Sequence, residues 1–187
     1  ATRVLRHGQA ITVSCAEGEV GVVYDGTAEV TERSVDIAAV PETRTKVMLN
    51  IANPAAAFRW WQLPADGVGL ARIEFIVSHD IKVHPLALLK PKAVASKAER
   101  ARIERLTHGW DSREEYFVAQ LASGVARIAA AHYPRPVIVR TSDFKTNEYA
   151  RLVGGAAFEP HEENPMLGWR GASRYYSGDY REAFALE

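Results

Sequence analysis

Three arginines stand just after apolar or glycine-rich segments: Arg72 in Gly-Val-Gly-Leu-Ala-Arg-Ile-Glu-Phe, Arg140 in Pro-Val-Ile-Val-Arg-Thr-Ser-Asp, and Arg170 in Asn-Pro-Met-Leu-Gly-Trp-Arg-Gly. A guanidinium keeps its proton at any accessible pH, so setting one near a buried strand end costs free energy unless an anion or carboxylate meets it. The chemistry these residues could do is to grip an anion, with phosphate the natural candidate. Each arginine alone is open to a plainer explanation, an internal salt bridge such as Arg72 with Glu74 or Arg140 with Asp143. Three at comparable positions favour anion binding.

Other polar clusters are weaker. Gly67-Val68-Gly69 lacks the following helix and the third glycine of a dinucleotide fingerprint. Asp143 to Glu148 is a polar loop after an apolar run, and spacing alone slightly favours a solvated connection over a site. Glu159 to Asn164 gathers Glu162, Glu163 and His161 without helical metal-ligand spacing, so a solvated loop is expected rather than a metal site. The six histidines lie in unrelated contexts, and none is read as paired with a nearby Ser or Cys in a nucleophile arrangement. They and Cys15 are expected to be structural. Trp60 and Trp61 are expected to pack in the core or between domains.

The elements that must position the arginines follow from the hydrophobic pattern. Residues 3–24 hold short apolar stretches broken by His7-Gly8 and Glu17-Gly18, which predict small β-strands with tight turns. Residues 27–45 turn polar and read as a linker with a short helical turn. From Lys46 strands and helices alternate. Val47 to Ile51, Gly67 to Val77 and Val137 to Val139 are apolar runs without alternation, the mark of buried parallel strands. Between them Asn53-Pro54 opens a helix through Gln62, residues 94–107 form another, and Ser112 to Ala131 a long amphipathic one capped by Asp111 or Ser112. The expected class is therefore α/β with a parallel sheet, and in such sheets ligands sit at the carboxyl ends of the strands.

Composition excludes several classes. Lys plus Arg and Asp plus Glu are equal at 23 each in a chain of 187 residues that is 47% hydrophobic, so there is a real core and no broad basic field for nucleic acid. No apolar run is long enough for a membrane span. The single Cys15 excludes an internal disulfide and fits a reducing, cytoplasmic setting. Only about three strong strands are present where a closed eight-fold α/β barrel needs roughly 250 residues, and Tyr180 to Glu187 reads as the opening of a helix. A piece of a longer polypeptide is expected.

Taken together, Gly67 to Phe75, Val137 to Tyr149 and Glu163 to Gly171 resemble motifs of the phosphoenolpyruvate-utilising enzymes. Ser142-Asp-Phe-Lys-Thr-Asn-Glu-Tyr149 is the most discriminating, resembling the branch that makes phosphoenolpyruvate from pyruvate rather than its sister branches. Val13 to Gly18 and Val83 to Leu88 point the same way, and the likeness covers nearly the whole chain. It implies that residues 1–26 end a swivelling phosphohistidine domain, 27–45 are a linker, and 46–187 are the first three strands of a (β/α)8 barrel binding phosphoenolpyruvate or pyruvate. It further implies a phosphotransferase reaction in which ATP, pyruvate and water give phosphoenolpyruvate, AMP and phosphate through a phosphohistidine. Arg72, Arg140 and Arg170 match the substrate-binding arginines, the last near the phosphoryl group.

Departures matter as much. The phosphorylated histidine of the family lies in a Thr-His motif, and here Thr107-His108 stands at a helix end in the wrong domain. The resemblance therefore implies no catalytic residue within these residues. The Mg²⁺ ligands, the proton-donating cysteine and the ATP domain are implied to lie elsewhere, as is most of any homodimer contact. Neither nucleic acid nor membrane is an expected partner. The alternatives kept open are a non-catalytic phosphoanion-binding or interaction module, and a piece of a sister enzyme. If residues 27–45 are a linker, limited proteolysis of the intact protein cuts there first; initial cleavage inside 46–187 with the linker protected overturns that.

Overall fold

Strands form where the chain runs apolar without alternation, and helices where a cap and a stripe of apolar residues coincide. The computed structural model describes residues 4–15, 20–32, 34 and 36–187. Two units separate, Ala1–Val40 and Pro41–Glu187. In the first, β1 (Ile11–Ser14) and β2 (Val22–Asp25) pair antiparallel, with Ile11 opposite Asp25. The Thr12 hydroxyl donates to Gly26 O (2.9 Å) and accepts from Ala28 N–H (2.7 Å), tying down the chain that leaves β2. The expected turn at Glu17-Gly18, and with it part of the Val13 to Gly18 motif, lies outside the described residues, as does Arg33 of the polar stretch. A single 3-10 turn covers Ile37–Ala39.

The second unit carries the mixed α/β architecture. Its strands β3 (Leu49–Ile51), β4 (Val68–Arg72) and β5 (Val137–Arg140) form one parallel sheet in the order β3-β4-β5. Helix α1 (Pro54–Trp60) connects the first two, with the Asn53 side chain accepting from Ala55 N–H and Pro54 in the first turn. Asn53 thus satisfies an otherwise orphaned helix-end donor, as its sequence position predicts. Gly67 starts β4 at φ +146, where a Cβ would sit 2.3 Å from Pro136 O. Only glycine lets the strand close on β5, and Val68 N–H then donates to Pro136 O at 2.9 Å.

The apolar run from Gly67 to Val77 is not one strand. Strand β4 ends at Arg72, and the chain turns into α2 (Glu74–Ile76) and a π-helical turn over Val77–Ile81. Ile73, Ile76, Val77 and Ile81 are all buried, a spacing of three and four residues that places them on one helical face. The run reads as continuous because its first half belongs to a buried strand and its second to a buried helix.

Helix α3 (Pro85–Leu89) is capped by His84, α4 (Lys97–Thr107) by Ser96, and the long α5 (Arg113–His132) by Ser112. Helix α4 starts at Lys97 rather than at 94 because Ser96 stops it there, its hydroxyl accepting from Glu99 N–H. Phe117, Leu121, Ile128 and His132 of α5 form a buried stripe, and the helix packs against α1. Ile128 joins Ile51, Ala57, Val68 and Ala71 in the core beneath the sheet; burying a side chain of that size is worth about 1.5–3 kcal/mol. A larger cluster joins the 73–88 segment to α5 and to α6 (Thr146–Tyr149), and it extends past α7 (Ala172–Tyr175) into α8 (Arg181–Phe184). The helix expected from Tyr180 is α8. Trp60 and Trp61 are about half exposed, not core, because α1 turns Pro54 and Ala57 inward instead.

Gly124 lets α5 cross α2: a Cβ there would lie 2.7–2.9 Å from three carbons of Ile76, which is itself fully buried. Helix propensity alone favours Gly124→Ala by about 1 kcal/mol. The overlap reverses the sign, and a net loss of about 1–2 kcal/mol in chemical denaturation is expected. Part of it should return when Ile76→Val is added; a stabilised single variant would show that the helices separate freely.

Candidate anion site

Parallel pairing itself brings the first two arginines together. Arg72 and Arg140 are the last residues of β4 and β5 and are register partners across the sheet. Both therefore stand at the carboxyl edge, which is tighter for Arg72 than a strand running to Val77 would allow. Arg170 arrives from the segment before α7. All three line one cavity of about 660 Å³, together with Lys145, Arg151 and the carboxylates of Glu74, Asp143 and Glu148. The Asp143 to Glu148 segment is therefore a wall of the cavity, not the solvated connection expected. Gly67 lies at the opposite end of β4 and Gly69 is not among the lining residues, so neither takes part.

Carboxylates alternate with guanidiniums along the wall. Arg140 Nη2 donates to Glu74 Oε1 at 2.5 Å, and its Nη1 stands 3.6 Å from Asp143 Oδ2. Arg170 grips the same Asp143 with a two-pronged fork, Nε to Oδ1 at 3.0 Å and Nη2 to Oδ2 at 2.8 Å. That fork, with help from Arg140, holds the Asp143 carboxyl below the usual aspartate range despite partial burial. Glu74 Oε1 also accepts from Asp143 N–H at 3.0 Å, so one oxygen fixes both the arginine and the turn behind it. Glu74 Oε2 and Arg140 Nε are buried with no hydrogen-bond partner.

The internal salt bridges foreseen as the alternative to anion binding thus exist for Arg140 and Arg170. Arg72 differs. Among the described residues it makes no ion pair, Glu74 being turned to Arg140; its guanidinium instead lies 4.7 Å from the centroid of the Phe75 ring. Lys145 pairs with Glu148 at 3.1 Å. With five cations and three carboxylates along its lining, the cavity keeps a positive surplus centred on Arg72 and Arg151.

The arginine that best satisfies the burial argument is one the sequence did not single out. Arg174 is 1% exposed and forks onto Glu159, with both contacts at 2.6 Å. Its guanidinium packs 4.4 Å from the Tyr149 ring centroid and 4.0 Å from that of Trp169. Glu159 also accepts from His84 Nε2 at 3.0 Å, while His84 Nδ1 accepts from Leu86 N–H at 3.1 Å. That arrangement requires a neutral imidazole carrying its hydrogen on Nε2, and burial likewise draws the His84 pKa below its ordinary value. The expectation that Glu159 to Asn164 is solvated fails at Glu159, buried against Arg174, and at Glu162, which accepts from Thr146 Oγ1 (2.7 Å) and Trp169 N–H (2.8 Å). No local spacing betrays a carboxylate and a guanidinium 15 positions apart. Among the described residues no group of three or more His, Cys, Asp or Glu side chains could hold a metal ion, and no helix is long and apolar enough to cross a membrane.

Fold and site together define an α/β domain with an arginine-lined cavity at the carboxyl edge of a parallel sheet. Residues 28–187 match the family described as PEP-utilising enzyme, PEP-binding domain, and the chain belongs to that family. Over 187 residues it is 54% identical to the phosphoenolpyruvate synthases of Helicobacter pylori and Deinococcus radiodurans, and over 188 residues 50% identical to that of Synechocystis sp.. Each alignment covers 100% of this chain but only 23%, 24% and 23% of the relative, so the chain spans about a quarter of the length of the curated relatives it matches.

The buried pairs set a pH dependence of stability. His84 has a folded pKa below 6.5, so as pH falls beneath that value the unfolded chain takes up a proton first and stability drops. Glu159, held low by His84 and Arg174, and Asp143 add a second loss below their ordinary values of 4.5 and 3.8, because their folded pKa values are depressed. The melting temperature should therefore fall between pH 7 and about 5, and again in stronger acid. His84→Asn keeps a capping acceptor but not the titration; the fall across the first window should shrink in this variant, and an unchanged slope would remove His84 as the cause.

Proposed function

We propose that this chain is the substrate-binding part of an enzyme that makes phosphoenolpyruvate from pyruvate, ATP and water, with AMP and phosphate as products. The observation that carries the proposal is Arg72 beside Arg140 at the ends of paired strands, converging with Arg170 on one cavity. Membership of a PEP-binding family and the names of the relatives support it. In this reading the three-stranded sheet is the first part of a (β/α)8 barrel, residues 1–26 are the end of a swivelling phosphohistidine domain, and residues 27–45 link the two.

The geometry supports the following division of roles. Arg72, free of carboxylates, receives the phosphoryl or carboxylate group of the substrate. Arg140 offers whatever donors Glu74 leaves, and Arg170 approaches from the other wall to stabilise charge on the oxygens of the transferring group. Guanidinium forks suit this better than ammonium groups because they match two oxygens at once. Mg²⁺ belongs to the proposed reaction, but Glu74, Asp143 and Glu148 each already pair with a cation. These carboxylates do not fit a magnesium site, and no step is assigned through one here; its ligands, the phosphohistidine and the ATP site are proposed to lie elsewhere in a longer protein.

Steady-state kinetics beside melting curves, on the intact protein, test the proposal. Losing one charge-assisted bond is worth about 1.5–3 kcal/mol, so Arg140→Lys should lower kcat/KM by roughly 10–200-fold. Arg72→Ala should lose at least as much with little change in melting temperature, since no carboxylate is left behind it. Near-normal kinetics for both variants with a large fall in melting temperature would mean that these arginines serve the fold alone.

A further inference from the structure

Arg170 owes its place to its neighbour. It lies just ahead of the one-turn helix α7, and both backbone polar groups of the preceding residue, Trp169, are held by side chains from elsewhere in the chain. Trp169 N–H donates to Glu162 Oε1 at 2.8 Å, and Trp169 O accepts from Arg174 Nε at 3.3 Å and Nη2 at 3.0 Å. Each holder is fixed in turn. The second oxygen of Glu162 accepts from the buried Thr146 hydroxyl at 2.7 Å, and Arg174 is forked on Glu159. The indole of Trp169 also lies over the Arg174 guanidinium. Gly168 packs so closely on Glu162 that a Cβ there would fall 2.0 Å from its Oε2, and Gly171, at φ +56, brings the chain past Asp143 on the other side of Arg170. Neither Glu162 nor Arg174 lines the cavity.

We propose that Glu162 and Arg174 are positioning residues which, by clamping the Trp169 backbone at its N–H and its C=O, hold Arg170 where its fork meets Asp143 and its remaining edge faces the cavity. The proposal rests on the reading of the cavity as a phosphoenolpyruvate site. An arginine on an unclamped loop would spread over many rotamers and would have to be ordered on binding, at a cost in affinity. A pinned backbone removes that cost before the anion arrives. Glu162 is the informative position, because Arg174→Ala would strand buried Glu159 without a partner and threaten the fold.

The experiment is a double-mutant cycle on the intact protein, with phosphoenolpyruvate binding measured by calorimetry for wild type, Glu162→Ala, Arg170→Ala and the double variant. Glu162→Ala is expected to weaken binding about tenfold, beyond the modest fall in melting temperature that follows from leaving the buried Thr146 hydroxyl without its acceptor, because an unclamped Arg170 must be ordered on binding. If it acts through Arg170, it should cost nothing further once Arg170 is gone. An undiminished tenfold loss in the Arg170→Ala background overturns the proposal. Should Glu162→Ala fail to fold, Thr146→Val, which removes only the hydroxyl supporting Glu162, replaces it in the same cycle. If Arg170→Ala leaves affinity unchanged, the cavity reading is what fails. A crystal structure of the Glu162→Ala or Thr146→Val protein then decides the clamp: an intact Arg170–Asp143 fork refutes it, and a displaced Arg170 supports it.

Discussion

Neighbouring parallel strands lie about 4.8 Å apart, and the register of β4 against β5 makes two arginines leave the sheet at the same level. Like charges so placed repel, and the surrounding structure is arranged around that repulsion. Glu74, one residue beyond the turn that ends β4, takes Arg140; Asp143, in the loop that follows β5, reaches both Arg140 and Arg170. The order of charges becomes Glu74, Arg140, Asp143, Arg170, each cation flanked by an anion. Glu74 can play this part only because the chain turns helical after Arg72. Had the strand continued, as the apolar run suggests, Glu74 would have lain further along the edge of the sheet rather than folded back beneath it.

Two layers of ion pairs result, and they differ in energetics. In the cavity wall the side chain of Arg140 is 41% exposed and that of Asp143 25%, whereas Arg174 and Glu159 are both 1% exposed. Pairs open to water contribute about 0–1 kcal/mol each, which describes the contacts of Arg140 and Arg170 with Asp143 better than that of Arg140 with Glu74, whose side chain is only 11% exposed. A buried pair is weak evidence of net stabilisation against an apolar replacement, but removing one partner alone costs about 3–5 kcal/mol. Rigidity therefore resides in the lower layer of His84, Glu159 and Arg174, with the aromatic rings of Tyr149, Trp169 and Tyr180 packed round the guanidinium.

What the sequence disclosed follows the range of the interactions. Asn53-Pro54 and Ser112 announce α1 and α5 because caps are local, and Val137 to Val139 announces β5 because an apolar run without alternation suits a parallel strand; the burial expected of that run fails, since Ile138 and Val139 are 55% and 40% exposed. Arg72, Arg140 and Arg170 were legible as a group because each follows an apolar or glycine-rich segment, and the structure does bring them to one cavity. Their carboxylate partners were only half legible: Arg140 with Asp143 is an i, i+3 pair, but Arg140 with Glu74 joins residues 66 positions apart. Arg174 was invisible for the same reason, since its partner, its aromatic shell and its hold on Trp169 all come from folding. A polar stretch such as Glu159 to Asn164 reads as solvated when the residues that bury it are distant in sequence.

In the proposed function, the distribution of partners would also order the events of binding. An anion entering the cavity must compete with Glu74 for Arg140 and with Asp143 for Arg170, yet at Arg72 it displaces no carboxylate, only water and the weak attraction of the Phe75 ring. First contact at Arg72 adds negative charge beside Arg140, its register partner, and lowers the advantage of the Arg140–Glu74 pair. The buried and unpartnered Nε of Arg140 and Oε2 of Glu74 show that this pair leaves hydrogen-bonding capacity unused on both members. A ligand that draws Arg140 toward Arg72 can therefore recover contacts that the empty site lacks, and the cost of loosening the pair is offset where the anion sits. In the proposed function Arg170, held through Trp169, would supply the wall on which an anion bound at Arg72 and Arg140 rests.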